Sequence, residues 1–260
     1  MISRLLLIGY VTLSLWGYAQ EPEAKQADSY QVLLHSRSLA DQRTALAAVL
    51  QDPQKYIPRI QQSLRDYPRL LRTDRVAANR AVYISALLRD SSFPPLLVKN
   101  LGNPDVLDEC EYPCPVVFAL TIQAVFAGWR LPSNLDSQLT MVGDLQSSIR
   151  NASHLSLKVG SIEDTVQGPA LEEHRKEIEG KTEEQLIQLA GPTTKSIDTR
   201  LFAAYRLETL VTDSKNRVEL YFLALNEVRD ASGEYRDAIY QAIYRAELAK
   251  ERSESVVHRP

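Results

Sequence analysis

The residues whose chemistry must be placed first are two cysteines, four histidines and one dense run of arginines. Cys110 and Cys114 are the only cysteines. In an oxidising compartment such a pair is expected to join as a disulfide, closing a small loop worth about 2 kcal/mol. A free-thiol reading stays open beside it. A metal reading needs two further donors, and no histidine stands near. The histidines are His35, His154, His174 and His258. None has a second histidine at metal-ligand spacing, and neither HExxH nor GxSxG occurs. Gly180-Lys181-Thr182 ends like a phosphate-binding loop, but Arg175 stands where the earlier glycine should be, after a charged stretch. Thr182 is better explained as the start of a capping box, Thr182-Glu183-Glu184-Gln185. Acidic groups at Glu163-Asp164 and from Asp105 to Glu111 lack the alternation and glycine of a calcium loop and read as solvated loops. No metal and no cofactor are expected.

The most usable chemistry is basic. Lys55, Arg59, Arg65, Arg69, Arg72, Arg75 and Arg80 stand in one short stretch against only Asp66 and Asp74. Guanidinium forks bind carboxylates and phosphates in two-pronged fashion. The functional reading is a docking face for an acidic protein or an anionic lipid surface. The bland reading is an ordinary solvated helix face with some Arg–Asp pairing. The formal net charge of −3 argues against a general nucleic-acid binder. Five tyrosines crowd the last third: Tyr205, Tyr221, Tyr235, Tyr240 and Tyr244. They fit a binding patch or, more simply, a core with hydroxyls at its rim. Asn151-Ala152-Ser153 matches the glycosylation acceptor pattern, relevant only in a eukaryotic source.

These residues must be positioned by helices. From Arg75 to Leu101 the apolar spacing predicts a helix, then a turn at Asp90-Ser91-Ser92, then a second helix opened by Pro94-Pro95. Gly102-Asn103-Pro104 ends it. Arg43 to Asp66 repeats the pattern, with Asp52-Pro53 at its turn. Pro58 precedes Pro95, and Leu64 precedes Leu101, by 37 positions. Arg200 to Asp230 is a third, looser copy, turning at Asp213. Such a period points to stacked helical hairpins, because one hairpin cannot bury its apolar face alone.

The arginine- and alanine-rich first helix, the turn aspartate and the Pro-Leu-Leu start of the second helix resemble HEAT repeats. The resemblance covers about a third of the chain. It implies an all-α architecture of stacked antiparallel helical hairpins, an α-solenoid, that binds partners on an extended surface. An irregular helical bundle is the alternative.

Along the rest of the chain, residues 1–19 read as a secretory signal. One arginine precedes an apolar run from Leu5 to Trp16, and Gly17-Tyr18-Ala19 suits cleavage after Ala19. An uncleaved anchor is the alternative. Cleavage takes the net charge to −4. Residues 20–29 form a polar lead-in and 30–150 an N-terminal helical-repeat half. Pro115 opens a helix apolar nearly all round, the mark of a central position. Ser133 to Arg150 reads as a further helix. Residues 151–170 read as a linker, in which HLSLKV alternates like a short strand. Residues 171–252 form a C-terminal helical half, and 253–260 a frayed tail. With 44% hydrophobic residues the chain can bury a substantial core.

The functional expectation is an exported, periplasmic or secreted, non-catalytic interaction or scaffold module. The alternative is an exported hydrolase-type enzyme whose site gathers residues distant in sequence, such as His154 or His174 with carboxylates.

Overall fold

The computed structural model describes residues 28–110, 114–130, 176–192, 196–226 and 233–257. These residues are all-helical, and no strand occurs among them. The signal segment, the 133–150 helix, HLSLKV and the 151–170 linker lie outside them.

The first helices run α1 (Ser29–His35), α2 (Leu39–Gln51), α3 (Pro53–Arg65) and α4 (Tyr67–Thr73). Next come α5 (Arg75–Leu88), α6 (Pro94–Leu101), α7 (Pro104–Glu109) and α8 (Pro115–Phe126). The later ones are α9 (Glu183–Ala190), α10 (Ile197–Leu210), α11 (Arg217–Leu225) and α12 (Gly233–Val257). Local chemistry sets the boundaries. Asp28, Ser38, Asp74, Asn103 and Ser196 each accept a backbone N–H in the opening turn of the helix that follows. Proline opens α3, α6, α7 and α8, where its missing N–H costs nothing.

The expected helix–turn–helix order is present, but of the three pairs only α2 and α3 pack on one another to any extent. α2 and α3 meet at Asp52, α5 and α6 at a turn where Asp90 Oδ1 accepts from Ser92 N at 2.9 Å. α10 and α11 meet where Asp213 Oδ1 accepts from Lys215 N at 2.9 Å. The two clearest units touch. α3 packs on both α5 and α6, and Asn100 Nδ2 donates to the Leu64 carbonyl at 2.8 Å. Leu64 and Leu101, the pair 37 positions apart, are both buried. The prolines correspond less well: Pro58 lies inside α3, whereas Pro95 lies in the first turn of α6. α4 is an extra helix between the two units.

The hub is α5. Every side chain from Arg80 to Leu87 is buried. α5 packs on α1, α3, α4, α8 and α11. It therefore joins helices from both ends of the chain. Phe118 of α8 stacks on Tyr240 of α12 with centroids 4.0 Å apart, and Tyr83 of α5 meets both edge-on. α8 is central as its composition implies. α12 continues past Arg252 to Val257, through what the sequence suggests is the frayed tail.

Candidate functional site

The arginine-rich stretch builds two walls of an open groove. On α3, Lys55, Arg59 and Gln62 fall on one exposed stripe, because the opposite stripe holds the buried Tyr56, Ile60 and Leu64. Asp66 ends that helix and α4 starts at once, carrying Arg69 and Leu70 to the other wall. α1 closes the third side with Tyr30, Gln31, Leu34 and His35. The groove encloses about 340 Å³.

Its charges are largely matched. Arg59 pairs with Asp28. Arg69 lies 3.6 Å from Asp66, whose carboxylate also accepts from Gln62 at 3.0 Å. His35 Nδ1 lies 3.0 Å from Asp74 Oδ2 at the end of α1. Arg72 and Arg75 continue the basic surface away from the groove and hold Asp105 and Glu109 of α7, each at 2.5 Å. Lys55 and Arg65 are exposed and form no ion pair among the described residues. Lys55 instead sits 5.4 Å from the centre of the Tyr56 ring. Beneath the groove, burial raises the Tyr30 hydroxyl pKa well above its ordinary value, with Ser63 acting in the opposite sense.

Arg80 corrects the expectation for this face. It is only 7% exposed and does not line the surface at all. Its guanidinium donates to the carbonyls of Leu34 at 2.8 Å, Ser36 at 3.0 Å and Leu225 at 2.9 Å, and to Asn226 Oδ1 at 3.3 Å. The C-terminal ends of α1 and α11 leave carbonyls without helical partners, and Arg80 satisfies both ends together. It is a structural cation.

A second buried polar group ties the halves. Glu247 of α12 is fully buried. It accepts from the Tyr221 hydroxyl at 2.8 Å and lies 2.7 Å from Arg217 Nε. Arg89, at the left-handed end of α5, reaches Glu251 at 2.8 Å and approaches Glu247 at 3.8 Å. Arg217 also donates to the Leu87 carbonyl at 2.8 Å. Two carboxylates, two guanidiniums and a phenol thus hold one another, with Glu251 at the partly exposed end and one oxygen of Glu247 without a hydrogen bond.

The tyrosine-rich third is core rather than patch. Tyr221, Tyr235, Tyr240 and Tyr244 are buried and Tyr205 is half-buried. Their hydroxyls turn inward: Tyr235 donates to the Ala190 carbonyl at 2.7 Å, and Tyr240 bonds Tyr83 at 2.8 Å. Between α10 and α12, Asp237 has one carboxylate oxygen without a hydrogen bond, and burial pushes its carboxyl up to about 6. Tyr205 beside it is pushed up to about 12, by burial first and then by Glu234, Glu208 and Asp237.

The remaining motifs resolve simply. Cys110 and Cys114 form a disulfide between the end of α7 and the start of α8. Thr182 accepts from Gln185 N while Gln185 accepts from Thr182 N, a complete capping box for α9. Asp105 and Glu109 of the acidic loop hold arginines. His154, His174, His258, Glu163, Asp164 and Asn151 lie outside the described residues. Among those described, no group of three metal-ligating side chains is assembled, and no helix is long and apolar enough to cross a membrane.

Sequence reasoning found the arginines but not the walls that α1 contributes, Tyr30 and His35. The Asp66–Arg69 pair was visible as an i, i+3 spacing. Asp28, Asp105 and Glu109 come from far along the chain, and nothing local marks them as partners. Comparison with protein-family models, with curated proteins and with solved structures matches nothing to this chain.

Proposed function

We propose that this chain is an exported, HEAT-like helical module that docks an acidic protein partner on the α1–α3–α4 groove and the basic surface beside it. The observation that carries the reading is the groove itself. It is open, its rim bears Arg59 and Arg69, and Lys55 and Arg65 stand exposed next to it without acidic partners among the described residues. Arginine on a rigid helix loses little freedom on meeting a carboxylate, and its fork accepts two oxygens together. The internal pairs do not exclude a partner. Exposed ion pairs are worth only about 0.2–1 kcal/mol and exchange readily. An export route fits the disulfide, which oxidising compartments maintain.

The test is binding of a fluorescein-labelled oligoglutamate peptide by anisotropy, with envelope-extract capture alongside. The double variant Arg65→Glu/Arg69→Glu should weaken the peptide about tenfold or more and lose the same captured proteins. Affinity should fall steeply with added salt. Unchanged binding in the double variant would overturn the reading.

A further inference from the structure

α7 carries an internal acidic ligand for the basic surface. Asp105 and Glu109 are four residues apart, one turn along the same side of that helix. Asp105 holds Arg72 of α4, and Glu109 holds Arg75 at the start of α5. Asp105 and Arg72 are each 54% exposed, so their pair stands in solvent. Glu109 and Arg75 are little better covered. Pairs of this kind lock nothing by themselves.

What holds α7 there is not the charge. Val106 is fully buried, and the Cys110–Cys114 disulfide fastens the helix end to the start of α8. Tethering of this kind presents the two carboxylates at a high effective concentration. A free acidic partner must displace them to reach Arg72 and Arg75.

The geometry points to a tethered acidic strap, and we propose that α7 competes with the acidic partner for Arg72 and Arg75 while the disulfide keeps it in place. This rests on the docking reading above and deepens it. The partner that fits is a peptide segment presenting two carboxylates about one helical turn apart. The disulfide makes the strap responsive to a dithiol reductant. Two electrons and two protons pass from the dithiol to the Cys110–Cys114 bond, giving two cysteine thiols and the oxidised disulfide of the reductant. The strap then keeps Val106 and its packing on α4 and α6 but loses the covalent clasp at its end, and its carboxylates compete less well.

The experiment uses the full chain purified from an exporting host and the labelled oligoglutamate peptide. The variant Asp105→Asn/Glu109→Gln keeps the disulfide and the buried Val106 but removes the competing charges. It should bind the peptide about three- to tenfold more tightly than the parent. Dithiothreitol should shift the parent in the same direction and add little to the variant. Adding Arg72→Ala and Arg75→Ala to that variant should abolish its gain. The control Glu184→Gln/Asp213→Asn removes two exposed carboxylates elsewhere and should gain little. If the Asn/Gln variant binds like its parent while Arg65→Glu/Arg69→Glu still weakens binding, the strap is overturned and the docking reading stands. If the control gains as much as the strap variant, the effect is bulk charge and the strap is again overturned. If no form binds the peptide, both fail.

Discussion

Arg80 shows why a charged residue's role is set by what surrounds it. Its neighbours at helical spacing, Ala77, Tyr83, Ile84 and Leu87, are all buried, so α5 carries its guanidinium inward. Burial works against the charge and lowers its pKa, partly offset by Asp74. The carbonyls it meets on α1 and α11 compensate for the lost water. Removing it leaves those carbonyls unpaired in the interior. Arg80→Ala should cost about 3 kcal/mol by urea denaturation. Arg80→Lys should recover only part, because one ammonium cannot span both helix ends. Arg65→Ala, on the surface, should stay within about 0.5 kcal/mol. Equal losses at the two positions would refute this division. Asp237 is the opposite case, a half-buried carboxyl with one oxygen left without a hydrogen bond. Its folded pKa of about 6 lies above the ordinary value of 3.8, so the folded chain holds that proton more tightly. Its contribution to stability therefore falls as pH rises from about 4 to about 6. Asp237→Asn should stabilise the protein at pH 7 and change little at pH 4. A variant curve parallel to the parent across that range would sink the assignment.

Helix boundaries follow from a few residues each, and one cap can be weighed by itself. Thr182→Ala removes the side-chain half of the α9 capping box, leaving the backbone N–H of residue 182 to Gln185, and should cost about 1 kcal/mol, while Thr182→Ser should cost little. The measurement is the thermal midpoint, and an unchanged midpoint in Thr182→Ala would show the box to be idle. Such signals are why the elements were readable in advance. Asp52-Pro53, Asp90-Ser91-Ser92, Pro94-Pro95, Pro115 and Thr182 act on their own backbone within a few residues. The groove walls on α3 and α4 were half-visible for the same reason, since the arginines crowd one short stretch of sequence. What stayed hidden is set by distant contacts. The sequence counted Arg80 with the surface because arginine is ordinarily exposed. It could not show that Asp28, Asp105 and Glu109 come back to the arginines, or that α5 meets α11.

The meeting of α5 and α11 decides how the whole molecule behaves. In an open stack of hairpins each unit touches only its neighbours, and stability is a sum of local terms. Here the two ends of the described chain share one core. Arg43 of α2 grips Glu219 of α11 with both carboxylate oxygens at 2.5 Å and lies 4.3 Å from the centre of the Phe222 ring. Arg80 joins α1 to the end of α11, Tyr83 bonds Tyr240, and Arg89 reaches Glu247 and Glu251. Damage at one end should then be felt at the other. Leu223 of α11 is buried, and Leu223→Ala should remove about 2–4 kcal/mol by leaving a cavity. If the molecule unfolds as one body, the best-protected amides of α3, α5 and α12 should all exchange faster by the same factor in that variant. If instead the amides of α3 and α5 keep their parent rates while only those of α11 and α12 accelerate, the halves are independent units, and the contacts made by Arg43 and Arg80 do not couple them.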